Sequence, residues 1–568
     1  MRVIITLLVS MLLLPLVAGE TGHLTLLAVS ERGDELVGNL ADLTLDMRPG
    51  TGRIFIATNP LTKLDTQFST RFANAIACDF LEIECTHYDF FYTIDSHSPI
   101  VGGPSAGAAI AVLTAAMLDG AAVDQQISIT GTINAGGIIG PVGGVMEKVH
   151  AAASNGMETV IIPSGSRYLT IDNATADLVS VGEELGITVI EVARLDQALE
   201  LFTGRTYVKE TRNLEISAAY EETMRSLAED LCDRSDKLQN DIGPVTNISN
   251  LSLIAAQNLS DQGTYSYDER SYYSSASYCF GANVRYRFAS IAERELSSIE
   301  IRRLLELTRD TAQDTEKKVI NRGYKTLTDL QAYVVVMERL LESEDHLTTA
   351  EMAIEEDRLV DAAWALANGM ERLYSAFSWD SFSGKDGEHV EINKDAVQNS
   401  CQAKLNEAEE RFQYAQLFFP LGLEDTRREL HRAQEDAADG QYELCLFKAS
   451  KAKAEADVFL SLLGVDEDQV KPLLAERIQL AKESIVDQQE RGEFPIVGYS
   501  YYEYARSLQE RDQFSAMLYS GYALELSNLD VFLSRKQSLK PFSFSLPRID
   551  FYYGIGVGMV ITLGIFLT

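Results

Sequence analysis

Ser105 and Lys148 have the surroundings that could do chemistry. Ser105 lies in Gly102-Gly103-Pro104-Ser105-Ala106-Gly107, directly ahead of a run of small and apolar residues, AAIAVLTAAML. Proline suits a first helical turn, and small residues such as Gly103 and Ala106 let backbone approach closely. Ser105 is therefore predicted beside the free N–H groups and positive end of a helix, where an oxyanion can be held. That is a nucleophile's position. Lys148 follows the turn Gly140-Pro141-Val142-Gly143-Gly144 and shares a face with Val145, Val149 and Ala152 at helical spacing. An ammonium on an apolar stripe is costly, and desolvation lowers its pKa toward the range in which it can take a proton from a serine hydroxyl. Spacing alone leaves the blander reading open, in which Ser105 caps a helix and Lys148 snorkels to solvent.

Two further arrangements compete. His97 and Asp95 precede Ser105 closely enough to suggest a Ser/His/Asp set, but a histidine so near in sequence is ordinarily a loop residue. Ser450 and Lys453 match S-x-x-K in an Ala-rich helix, without the S-D-N or K-T-G elements that accompany that motif. No H-E-x-x-H, Cys/His cluster or calcium loop occurs, so the sequence implies no metal and no cofactor.

The elements that must carry these residues come from the patterning. At 568 residues the chain exceeds a single core, and 46% hydrophobic residues exclude wholesale disorder. From 20 to 204, short β-branched runs (LTLLAVS, RIFIAT, LEIEC, ISITGTI, TVIIP, ITVIEV) alternate with Ala-rich stretches, predicting an α+β domain. A polar joint at 205–213 leads to an all-α domain over 214–534, built of helical hairpins as a solenoid or a bundle. In it a pattern of aromatic and small residues recurs at Tyr272, Arg358, Gln441 and Asp512, at intervals that suit two hairpins per unit.

The ends speak to location. Val3 to Ala18 is an apolar run after Arg2, ahead of Gly19 and Glu20, so 1–19 reads as a signal peptide or signal anchor. A juxtamembrane segment, 535–550, precedes 551–568, which carries no charge and is predicted as a transmembrane helix. Arg535, Lys536, Lys540 and Arg548 stand where positive charge ordinarily marks the cytoplasmic side, but an export signal would place the preceding domains outside. Six cysteines, none in C-x-x-C spacing, suggest three disulfides in an exported chain, with the sequential pairing keeping each bridge local. Sequons at Asn173, Asn247, Asn250 and Asn258 add weak support. With 49 Lys and Arg against 84 Asp and Glu, the net charge of −35 argues against nucleic acid as a partner.

The segments GGPSAG and ISITGTINAGGIIGPVGGVMEKVHAAASNGMETVIIP, in this order and spacing, resemble the proteolytic domain of Lon proteases, a Ser/Lys peptidase family. The resemblance runs from about 95 to 204. It implies Ser105 as nucleophile, Lys148 as general base and Thr130 as the threonine that helps position the lysine. One departure is Gly102, where the family commonly has an acidic residue. No G-x-x-x-x-G-K-[ST] loop is present, so the ATPase that feeds substrate to typical Lon enzymes is missing. The expectation is an ATP-independent, membrane-anchored serine endopeptidase acting on unfolded proteins or peptides, with the catalytic and helical domains on the extracytoplasmic side. Family members often form rings, and Gly554-x-x-x-Gly558 could pack helices, so a homo-oligomer is possible. The alternative is an inactive surface scaffold that binds partners through its helical domain.

Overall fold

Leucines and valines at every second position over two long stretches make the first pair of strands, β1 (Glu20–Arg32) and β2 (Glu35–Pro49), which run antiparallel. In the computed structural model the described residues are 20–32, 35–62, 64–101, 104–171, 174–207, 213–242, 250–294, 296–384, 394–462, 465, 467–492 and 494–528. After β2 come β3 (Ile54–Thr62), helix α1 (Leu64–Phe80), β4 (Tyr88–Val101), α2 (Gly107–Leu118), β5 (Ile127–Ile129) and the hairpin β6 (Thr132–Ile133) with β7 (Ile139–Gly140). The fold continues through α3 (Val145–Ser154), β8 (Thr159–Pro163), the ribbon β9 (Tyr168–Ile171) with β10 (Ala174–Asp177), α4 (Leu178–Leu185), β11 (Thr188–Val192) and α5 (Leu195–Thr203). Seven strands form one mixed sheet in the order β11-β8-β5-β1-β2-β4-β3.

Period-two alternation assigns the two faces. Leu24, Leu26, Ile129, Ile161 and Val192 point to one side, where they meet α1, α2 and α5. Leu27, Val160, Ile162 and Val189 point to the other, against α3 and α4. Helix α2 is buried along almost its whole length, which explains why its sequence shows no polar face.

One expected strand is absent. LEIEC (Leu81–Cys85) forms the turn after α1, because Ile83 N–H donates to the Cys78 carbonyl at 3.0 Å and Glu82 N–H to Asp79 at 3.0 Å, with Glu82 at φ 54°. This is a Schellman ending, and the Cys78–Cys85 disulfide closes it.

From Ala218 onward the described residues are helical. In chain order the helices are α6 (Ala218–Asn240), α7 (Asn250–Asp268), α8 (Tyr272–Ala292), α9 (Ser298–Arg322), α10 (Leu327–Glu355), α11 (Leu359–Trp379), α12 (Lys394–Phe418), α13 (Glu424–Ala438), α14 (Tyr442–Ser461), α15 (Glu467–Glu490), α16 (Ile496–Leu508) and α17 (Gln513–Ser527). They pack as four triplets, and in each the third helix is the buried one held by the other two. Those third helices, α8, α11, α14 and α17, begin at or one residue after the starts of the recurring sequence pattern. The repeat is thus a three-helix unit and not two hairpins. The small residues let α8 pack on α11, and α14 on α17. The first three triplets share a turn before the third helix, with Arg270, Asp357 and Gly440 at positive φ and a six-to-one bond such as Arg358 N–H to Ala353 O at 2.8 Å.

The cysteines pair sequentially, Cys232–Cys279 tying α6 to α8 and Cys401–Cys445 tying α12 to α14. Each closes a loop of more than forty residues, so replacing Cys232 and Cys279 together by alanine should cost about 2–4 kcal/mol in denaturant unfolding. An unchanged unfolding midpoint would contradict a stapling role. The described sheet-bearing and helical parts, from Glu20 to Asn528, belong to one compact unit. The joint is anchored at its start, where the Arg205 guanidinium donates to Asp119 at 2.7 Å and the Tyr207 hydroxyl to the same carboxylate at 2.8 Å. The signal segment 1–19, the juxtamembrane segment 535–550 and the tail 551–568 lie outside the described residues, as do Asn173 and Asn247 of the sequons. Among the described residues no helix is long and apolar enough to cross a membrane.

Candidate active site

The site forms at the carboxyl end of β5, where the two helical layers of the sheet domain reach consecutive residues. From one face, Ser105 sits in the single 3₁₀ turn Pro104–Ala106 ahead of α2, half-buried, and its carbonyl accepts from Gly131 N–H at 3.0 Å. The Gly131 carbonyl in turn accepts from Ala108 N–H at 3.0 Å, so the first turn of α2 is stitched to the end of β5. A side chain at Gly107 would place Cβ 3.1 Å from Ile133 N and Ser69 Oγ, which explains the glycine at this close approach. Pro104 is buried, and its carbonyl accepts from Ser69 Oγ of α1 at 3.4 Å. Ala106 is half-buried as the residue before α2, while Gly102 and Gly103 lie outside the described residues.

From the other face comes Lys148, on the apolar stripe of α3 together with buried Val145, Val149 and Ala152. It is 1% exposed, and its Nζ donates to Thr130 Oγ1 at 3.0 Å. Thr130, immediately after β5, is fixed by its own N–H to the Ile161 carbonyl at 3.0 Å. The structure therefore brings Lys148 to Thr130, and the Ser105 backbone to the next residue. Among the described residues no hydrogen bond joins the Ser105 hydroxyl to the lysine.

The electrostatics single Lys148 out. Lys404, Lys448, Lys451 and Lys453 are also buried or nearly so, and each pairs with at least one carboxylate: Lys404 with Glu407 at 2.7 Å, Lys448 with Asp436 at 2.7 Å, Lys451 with Glu338, and Lys453 with Asp457 at 2.7 Å. Among the described residues Lys148 bonds only the Thr130 hydroxyl. Burial pushes its ammonium down to about 7, with the Glu147 charge offsetting part of the loss. Lys453 moves the opposite way, raised by Asp457 and Glu525 against its desolvation. The S-x-x-K motif is accordingly structural, since the Ser450 hydroxyl bonds the Leu446 carbonyl at 2.8 Å and Lys453 is locked in ion pairs. The side chain of His97 is outside those described. Among the described residues no group of His, Cys, Asp or Glu is placed to hold a metal ion.

Comparison with known proteins bears on the domain that carries these residues. The family model described as the Lon protease (S16) C-terminal proteolytic domain matches residues 80–201. Residues 80–201 are a Lon-type proteolytic domain. The chain is 34% identical over 133 residues to the Lon protease of Paraburkholderia phytofirmans, covering 22% of this chain and 16% of that protein. It is 30% identical over 182 residues to the archaeal Lon protease of Archaeoglobus fulgidus, covering 32% of this chain and 28% of that one. The chain thus spans less than a third of the length of these relatives. The Lon-type match begins at residue 80, earlier than the motifs alone indicate, and takes in β4, which leads into the serine turn.

Sequence reasoning missed two long-range pairs that bear on this site. The Gly143 N–H, in the turn before α3, donates to the Tyr414 hydroxyl of α12. Asn134, just after β6, accepts from Lys453 Nζ at 3.0 Å. No local signal could have found these pairs, since their members lie hundreds of residues apart.

Proposed function

We propose that the chain is an ATP-independent, membrane-anchored serine endopeptidase that hydrolyses peptide bonds in unfolded proteins or peptides through a Ser105/Lys148 dyad. The observation that carries the reading is Lys148: a buried lysine of a Lon-type domain, bonded to Thr130 and paired with no carboxylate among the described residues, beside the strand end that holds Ser105. Neutral Lys148 takes the Ser105 hydroxyl proton as Oγ attacks the peptide carbonyl carbon. Backbone N–H groups around Ser105, at the amino end of α2, hold the oxyanion. The C–N bond breaks as Lys148 returns the proton to the leaving amine. Lys148 then takes a proton from water, which attacks the ester, releasing the carboxylate and restoring Ser105.

ATP independence draws on there being no G-x-x-x-x-G-K-[ST] loop in these 568 residues, and unfolded proteins or peptides are the substrates that a proteolytic domain can take without ATP-driven unfolding. An extracytoplasmic location draws support from the apolar segment before Gly19 and from three disulfides, which belong to oxidising compartments. Anchoring rests on the uncharged tail, 551–568.

The pH dependence tests the reading. Lys148 must be neutral to act, so hydrolysis of fluorescent casein without nucleotide should rise with pH through a midpoint near 7. At pH 5 the rate should be about a hundredth of that at pH 8 or above. A flat profile between pH 5 and 9, or a requirement for ATP, would contradict it.

A further inference from the structure

We infer that Tyr414 is a positioning residue for Lys148, so that the helical region completes the catalytic site. This inference rests on the Ser/Lys reading above.

Lys148 is held at two points, and the helical region grips the segment behind each. At its backbone, Lys148 N–H donates to the Gly144 carbonyl at 3.1 Å, the bond that starts α3. Gly144 stands at φ +66°, and a Cβ there would lie 2.7 Å from Val29, so the turn requires a glycine. The preceding peptide, the buried Gly143 N–H, is satisfied by the Tyr414 hydroxyl. At its tip, Lys148 bonds Thr130. The chain runs from Thr130 through β6 to Asn134, which accepts from Lys453 Nζ, and a Cβ on Gly136 would lie 3.0 Å from Asn528.

The gripping residues are themselves fixed to one another. Glu525 of α17 pairs with Lys453 of α14 and, at 3.0 Å, with Lys404 of α12, the helix that carries Tyr414. The Cys401–Cys445 bridge ties the same two helices, and Phe72 of α1 packs against it. Tyr414 therefore reaches Gly143 from a braced support. Without its hydroxyl a buried N–H loses its acceptor, and the turn is free to rotate toward water, carrying the start of α3 with it.

The test is Tyr414→Phe in the full-length protein purified in detergent, assayed on fluorescent casein from pH 5 to 9 beside wild type, Ser105→Ala and Phe412→Leu. Phe412→Leu loosens the packing of the same helix without touching Gly143. Tyr414→Phe should lower kcat at least about tenfold, leave KM within twofold and move the rising pH limb upward as water reaches the ammonium. Phe412→Leu should leave the limb in place. A wild-type kcat and limb in Tyr414→Phe, or the same shift in Phe412→Leu, would overturn the positioning role while Ser105-dependent hydrolysis stands. If wild type and Ser105→Ala behave alike, the Ser/Lys reading itself fails.

Discussion

Ser105→Ala and Lys148→Ala should each lower hydrolysis of an unfolded protein by at least about 10³-fold, with thermal stability nearly intact in the serine variant. The loss is large because the two groups act as a unit. Without the hydroxyl no acyl-enzyme forms, and without the amine the hydroxyl keeps its proton at neutral pH. The double variant should therefore be no worse than either single one, since effects within a catalytic unit do not add. Casein digestion followed by electrophoresis checks this. Variants that digest casein as fast as wild type would overturn the dyad, and a wild type that digests none would return the protein to the alternative of an inactive surface scaffold.

The second large effect is on stability and has opposite signs at two buried lysines. Lys453→Met removes a cation that answers Asp457, Glu525 and the Asn134 carbonyl oxygen, leaving Asp457 with Arg411 and Glu525 with Lys404, each short of one buried counter-charge. Breaking such a pair costs about 3–5 kcal/mol. Because Lys453 titrates above its ordinary value when folded, its contribution is fully present below the unfolded pKa and is lost only as pH rises through the folded one. Lys148 is the reverse case. Its folded value, about 7, lies below the ordinary 10.5, so between those values the unfolded chain binds more protons and the wild type gains stability as pH rises. Lys148→Met should thus be as stable as wild type or more so at pH 7 and below, with the advantage shrinking toward pH 10. Denaturant midpoints at pH 6 and 9 check both signs. A strongly destabilised Lys148→Met at pH 6 would mean that the lysine is structural.

Much of the site is legible in the sequence because its parts are local. The run after Ser105 is small and apolar because α2 is buried on nearly all sides, and Lys148 falls on the stripe of α3 because helical spacing fixes which residues share a face. Sequential cysteine pairing follows from bridges that stay within one turn or one helical triplet. The recurring aromatic and small residues mark α8, α11, α14 and α17, yet the pattern does not say that two outer helices flank each buried one. Those outer helices are amphipathic in the ordinary way and carry no shared signature. LEIEC reads as a strand by composition, but the disulfide and the left-handed Glu82 bend it into a helix ending. The grip of Tyr414 on Gly143 and of Lys453 on Asn134 is invisible to any window, because only the packed fold brings such distant residues together.

The most direct measurement is labelling of the full-length protein with a fluorophosphonate at pH 8, followed by peptide mapping, in wild type and in Lys148→Ala. The account predicts one adduct, on Ser105, in wild type, and its loss in Lys148→Ala, because only a serine that can pass its proton to the neutral lysine is nucleophilic enough to react. An adduct on another serine, or equal labelling of Ser105 in both proteins, would contradict the dyad.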